Sequence, residues 1–169
     1  LSNLTLTGTM EYSRQCAHVS TRGVASIQNL STLSNRTSEV GIVEIAHREQ
    51  AGLLAYSHLA FGMLSGKYVC GKWPEKARMT LYERFSRYTS GRGMDATRAY
   101  VELARENGLS PVQMALAYVN SRSFVTSNII GATTMAQLRE NIGSAQISLS
   151  PSVLEAMESI HQEFTYPCP

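Results

Sequence analysis

The chain has 169 residues, 43% of them hydrophobic and 17% charged, with a net charge of +2. That is enough apolar material for one domain with a real core, and too much for a disordered chain. The balanced charge, with no Lys/Arg run, argues against nucleic acid or a lipid surface as the main partner, and no apolar run approaches the roughly 18 residues of a membrane-spanning helix. Cys16, Cys70 and Cys168 are widely spaced, and there is no CxxC or Cys/His cluster. Neither a zinc site nor a disulfide framework is indicated, and reduced thiols in a cytoplasmic protein fit best.

The first residue is Leu, and Leu1-Ser2-Asn3 reads as the tail of a strand, so the chain is expected to be the later part of a longer protein. Residues 6–18 read as a helix carrying Met10, Cys16 and Ala17. "VASIQN" (24–29) is a short strand closing on Gln28 and Asn29. Residues 38–50 have the spacing of one amphipathic helix, with Val40, Val43 and Ala46 or His47 on a face. "GLLAYS" (52–57) is a second buried strand, followed by a Gly-rich turn over 58–67.

Residues 69–93 read as a long irregular, basic loop, and a loop that long in a compact domain is functional or mobile. Residues 94–108 form a helix with Ala96, Tyr100 and Leu103 inward and Gly108 as its stop. The next helix, 110–121, opens on Ser110 as N-cap, Pro111 in the first turn and Gln113 at the third position. "VTSNIIG" (125–131) is the last strand. The stretch "IIGATTMAQLRENIG" (129–143) then starts a helix at once, with Met135, Leu138 and Ile142 at helical spacing. Thr134 and Gln137 have capping-box spacing; the same helix start also suits an anion. Ser150-Pro151 begins the final helix, and the tail "TYPCP" is coil.

Strands that alternate with helices, with no hairpin signal between them, are parallel strands joined by right-handed crossovers. Three strands are whole, and Leu1–Asn3 is a stub. All four end in small or polar groups: Ser2-Asn3, Gln28-Asn29, Tyr56-Ser57 and Gly131-Ala132-Thr133. Parallel α/β folds bind ligands at the C-terminal ends of strands, so these ends are read as a ligand face. The edges at Leu1–Asn3 and 125–131 should be open, with Ile27, Leu54 and Ile129 as candidates for inward faces.

In "AYSHLAFGMLSGKY" (55–68), Lys67 after Gly66 looks like a phosphate loop, but Gly62 to Gly66 is one residue too short and Tyr68 stands where Ser/Thr must bind magnesium. The segment offers the Tyr56 ring for stacking, the Ser57 hydroxyl, and backbone N–H groups with Lys67 for a pyrophosphate. The plainer alternative is that Tyr56 fills the core and Lys67 is a solvated charge.

"LSN" (1–3), "SIQN" (26–29), "NRTSEVG" (35–41), "LLAYSHLAFGMLSGKY" (53–68), "IIGATTMAQLREN" (129–141) and the ending "FTYPCP" resemble the C-terminal half of the aldo-keto reductases. The likeness is to the bacterial Tas-like group, and more distantly to the potassium-channel β subunits. It covers essentially the whole chain. It implies an α/β fold, the C-terminal half of a (β/α)8 TIM barrel, binding NADP(H) at its C-terminal face and reducing a small carbonyl substrate to an alcohol by hydride transfer. By position, Ser2, Asn3 and Gln28 would hold the nicotinamide carboxamide and Tyr56 would stack on its ring. Ser57, Leu59, Ala60 and Lys67 would line the pyrophosphate. Arg78, in the loop over the cofactor groove, would meet the 2′-phosphate. Gly131, Thr133, Gln137, Glu140 and Asn141 would hold the adenosine end.

His58 stands where many members have Pro, and Leu30-Ser31 replaces a common Pro-Tyr. The family's catalytic Asp, Tyr, Lys and His come from the first half of the barrel and are not in this chain. The histidines present, His18, His47, His58 and His161, match no catalytic position and read as surface or satisfied residues. The expected partner is therefore the missing N-terminal half of the barrel. A non-catalytic nucleotide-binding relative and an inactive truncated remnant are the other two readings. No metal ligand set is expected.

Overall fold

The computed structural model describes residues 1–82 and 87–168, with the backbone alone for Cys70. Its sheet has three parallel strands in the order β1 (Ser26–Leu30), β2 (Gly52–Tyr56), β3 (Val125–Ile129). The expected stub lies along the free edge of β1: Gln28 N–H donates to the Leu1 carbonyl at 2.8 Å, and Asn3 N–H donates to the Gln28 carbonyl at 3.1 Å. Helices α1 (Leu6–His18), α2 (Ile42–Arg48), α3 (Arg78–Leu81), α4 (Gly91–Glu106), α5 (Pro111–Asn120), α6 (Met135–Gly143) and α7 (Pro151–Glu163) connect and follow the strands. Among the described residues no helix is long and apolar enough to cross a membrane.

Strand periodicity sorts the side chains into two faces. Ile27 pairs with Leu53, and both turn outward to pack with Val24, Ile42, Ala46 and Ala51 under α2. Full burial of two such side chains contributes about 1.5–3 kcal/mol each. Ile27 is thus not on the inward face where the sequence placed it. Gln28, Leu54, Tyr56 and Ile129 are on that face, through the pairs Gln28–Leu54 and Tyr56–Ile129. A larger core joins Ala55 and the 60–68 turn to α4, α5 and α7, through Met63, Leu64, Tyr68, Ala96, Tyr100, Met114, Tyr118 and Met157.

Several local boundaries differ from the sequence reading. The single helix expected over 38–50 is a 3₁₀ turn, Thr37–Val40, then α2, separated at Gly41. A Cβ there would sit 2.7 Å from Cδ1 of Leu6, so glycine lets α1 close on this junction. Within 69–93 the described residues hold a 3₁₀ turn at Val69–Gly71, α3, and the first turn of α4, so they are only partly irregular; 83–86 lie outside the described residues. Helix α4 starts at Gly91 because the Ser90 hydroxyl accepts from Gly93 N–H at 3.1 Å. Ser110 precedes α5 without capping it, and its hydroxyl donates to Glu140 instead.

Apolar surface remains uncovered beyond both edges of the sheet. On the stub side Leu6, Met10, Tyr12 and Val19 of the α1 segment are exposed, as is Val40. Val40 therefore does not serve the shared face expected of it. On the β3 side Ile129, Ile130, Met135 and Ile142 are exposed.

Candidate functional site

The strand ends converge as their polar residues suggested. Ser2 bridges Gln28, and the Tyr56 hydroxyl donates to Oδ1 of Asn3 at 2.6 Å. Asn3 has a left-handed backbone (φ 55°), a conformation that Asn tolerates better than most residues. Tyr56 is half-buried, lying on the inward face in register with Ile129. Ser2, Asn3, Gln28 and Tyr56 are therefore one cluster across three strand ends.

Immediately after Tyr56 the backbone turns through an unusual run of left-handed residues: Ser57 (φ 59°), Ala60 (48°), Phe61 (56°) and Gly62 (95°). Such conformations cost free energy and persist only where the surroundings hold them. Here Ala60 N–H donates to the Ser57 carbonyl at 2.8 Å, and Ala60 is fully buried while Leu59 is half-buried. The turn folds Lys67 back on itself, with its Nζ 5.1 Å from the Tyr68 ring centroid. A Cβ at Gly62 would lie 2.9 Å from Lys67 Nζ, so the glycine makes room for the cation.

Arg78 opens α3, whose position is set by Met79 N–H donating to the buried Tyr68 hydroxyl at 3.1 Å. Its guanidinium lies 5.4 Å from the centroid of Phe61, so Arg78 is drawn to the turn after β2. Among the described residues, neither Lys67 nor Arg78 pairs with a carboxylate.

Two residues beyond Ile129, the Gly131–Thr134 turn leads into α6. Thr134 caps it, its hydroxyl accepting from Gln137 N–H at 3.2 Å. Oε1 of Gln137 in turn accepts from Thr133 N–H at 2.9 Å and from the Thr133 hydroxyl at 3.0 Å. The reciprocal cap expected from the spacing is present, shifted by one residue at its return bond. Asn141 is buried and donates to the Gly131 carbonyl at 3.1 Å; Glu140 accepts from Ser110 at 2.5 Å. Gln137, Glu140 and Asn141 thus stay on the α6 side of the turn with part of their bonding capacity already committed. Gly131 has open space where a Cβ would be.

Four features were not drawn from the sequence. Phe61 joins the turn to Arg78 and meets Tyr88 edge-on at 5.3 Å. Of the histidines read as surface or satisfied, His58 is buried: Nδ1 is 3.1 Å from the Ser31 carbonyl, and Nε2 has no partner among the described residues. Burial pushes its pKa below the ordinary 6.5, which favours the neutral ring. The buried phenols of Tyr88 and Tyr118 are pushed up to about 12, again by burial. Arg36 forms an ionic hub, with Nη2 2.7 Å from Glu39 and Nη1 2.7 Å from Glu158, and it lies over the Tyr118 ring. An aromatic inside a Gly-rich turn was the available signal for Phe61; the His58–Ser31 and Arg36–Glu158 contacts depend on chain-distant partners. No group of His, Cys, Asp and Glu among the described residues could hold a metal ion.

The family model of the Aldo/keto reductase family matches residues 3–162. Protein tas of Escherichia coli (strain K12) is 46% identical over 169 residues, which is 100% of this chain and 49% of that protein. An uncharacterized oxidoreductase, YrpG of Bacillus subtilis (strain 168), is 30% identical over 82% of this chain and 40% of its own length. A probable voltage-gated potassium channel subunit beta of Oryza sativa subsp. japonica is 34% identical over 66% of this chain and 35% of its own. The chain spans about half the length of the first of these relatives. Its parallel strands and crossover helices are a partial (β/α)8 barrel, and the chain belongs to the aldo-keto reductase family.

Proposed function

We propose that this chain is the cofactor-binding C-terminal half of an NADP(H)-dependent carbonyl reductase. The observation that carries the reading is the order of the strand ends. Across the sheet edge come the Asn3–Gln28–Tyr56 cluster, the left-handed turn with Lys67, and the Gly131–Thr134 turn into α6. That order suits a nicotinamide, a pyrophosphate and an adenosine end in turn. The donor set fits the group: a half-buried ring whose hydroxyl bonds the Asn3 amide, two cations without carboxylate partners among the described residues, and a glycine with open space beside a helix start.

In this reading Ser2, Asn3 and Gln28 orient the carboxamide, and Tyr56 carries the ring. Ser57, Leu59, Ala60 and Lys67 line the pyrophosphate. Arg78 meets the 2′-phosphate from the start of α3. Gly131, Thr133, Gln137, Glu140 and Asn141 form the adenosine end, with Gln137 also capping α6. When bound, the cofactor supplies the hydride for the carbonyl carbon. The carbonyl oxygen also needs a positioned proton donor. The preceding half of the barrel would bring that donor and cover the apolar surface at both sheet edges. The free thiols of Cys16 and Cys168 suit a reducing compartment such as the cytoplasm.

The test is a fluorescence titration of the complete protein with NADPH and NADH. Lys67→Met should weaken both by about tenfold, and Arg78→Ala should weaken NADPH alone by one to two decades, roughly the range for a charge-assisted contact. An NADPH/NADH affinity ratio unchanged by Arg78→Ala would contradict the assignment.

A further inference from the structure

The geometry points to Phe61 as a positioning residue for Arg78: its ring fixes the direction of the guanidinium without neutralising it, so selectivity for a 2′-phosphorylated nucleotide depends on an aromatic face at position 61. The inference rests on the proposed role of Arg78 and adds the group that aims it.

Three observations carry it. Phe61 holds a left-handed backbone (φ 56°, ψ 25°), which a bulky side chain rarely adopts, so its position is imposed by its surroundings. Its ring plane is set by the buried Tyr88, which meets it at 5.3 Å and 71°. Arg78 has an anchored backbone, through Met79 N–H and the Tyr68 hydroxyl, but an exposed side chain. Its guanidinium rests 5.4 Å from the Phe61 centroid. An exposed arginine otherwise spreads over many rotamers, and gathering them opposes binding. A carboxylate would gather them too, but would compete with the incoming phosphate. A ring face attracts the cation and leaves its charge and its N–H donors available. No carboxylate pairs with Arg78 among the described residues.

The experiment uses the complete protein and compares NADPH and NADH affinities by fluorescence titration. The informative variant is Phe61→pentafluorophenylalanine, which keeps the ring's shape but reverses the sign of its face potential; Phe61→Leu and Arg78→Ala accompany it. Fluorination should weaken NADPH by about threefold, in the range of an exposed cation–π contact, and leave NADH unchanged. Phe61→Leu should do the same, and fluorination in the Arg78→Ala background should add nothing. Equal losses for both nucleotides, an additive loss in that background, or no loss on fluorination while Arg78→Ala lowers the NADPH/NADH ratio would overturn the role of Phe61 alone. An Arg78→Ala protein with an unchanged ratio would overturn this role together with the reading of Arg78.

Discussion

The Tyr56 hydroxyl donates to Oδ1 of Asn3 at 2.6 Å, joining the end of β2 to the stub on the far side of β1. The bond crosses β1 and tethers the phenol on the inward face. Tyr56→Phe removes the donor and keeps the ring. Its cost in stability should be no more than about 0.5–1.5 kcal/mol, with nucleotide affinity largely kept. Tyr56→Ala should weaken NADPH binding at least about tenfold while the thermal midpoint shifts little. A deleted core aromatic costs about 3–5 kcal/mol, so a loss of that size in chemical denaturation would show that Tyr56 serves packing.

Arg36 should be the costliest surface-proximal charge to remove. Its side chain is 13% exposed and reaches Glu39 and Glu158, 122 residues away from the latter, so it ties the loop after β1 to α7. Arg36→Ala should lose about 2–3 kcal/mol in urea denaturation, because two carboxylates lose their partner in a partly desolvated site. Arg36→Lys should recover only part of it, since Nε and Nη2 both bond Glu39 and an ammonium cannot reproduce that fork.

Acid should destabilise the fold through His58. Burial lowers its pKa in the folded state below the ordinary 6.5, and His161 shifts the same way, also mainly by burial. Below about pH 6.5 the unfolded state then binds more protons than the folded one, so stability is complete above that pH and falls as pH drops toward the folded-state values. Urea midpoints measured from pH 8 to 5.5 should decline over the lower part of that range. His58→Gln should flatten the decline, leaving the part due to His161. An unaltered slope would show that His58 is not the responsible group.

The architecture was legible because its signals are local. Strands followed at or near their ends by Gln28-Asn29, Tyr56-Ser57 and Gly131-Ala132-Thr133 announce themselves by composition, and the Thr134/Gln137 and Ser150 caps by spacing. What escaped has non-local causes. Gly41 splits the expected helix because Leu6, from another helix, occupies the space of its missing Cβ. The polar run Ser31–Asn35 is buried because Thr32 Oγ1 accepts from Ser34 and Asn35 N–H groups and Asn35 donates to the Cys168 carbonyl, 133 residues on. Ile27 was assigned to the wrong face because a short apolar strand carries no mark of which side meets the helices; the Ile27–Leu53 pairing decides it. In the candidate site, the residue types were readable, whereas the seating of Arg78 on Phe61 required the left-handed turn that no propensity would assign to phenylalanine.

On the proposed function, this chain carries a reductase's cofactor groove and the proton donor comes from elsewhere in the barrel. The direct measurement is NADPH oxidation with a reactive aromatic aldehyde, by residues 1–169 alone and after refolding together with the preceding half of the protein. No turnover above background is expected for the chain alone, with association through the open edges at Leu1–Asn3 and Val125–Ile129, and turnover is expected once both halves are present. Aldehyde-dependent NADPH oxidation by residues 1–169 as a monomer would contradict the proposed function.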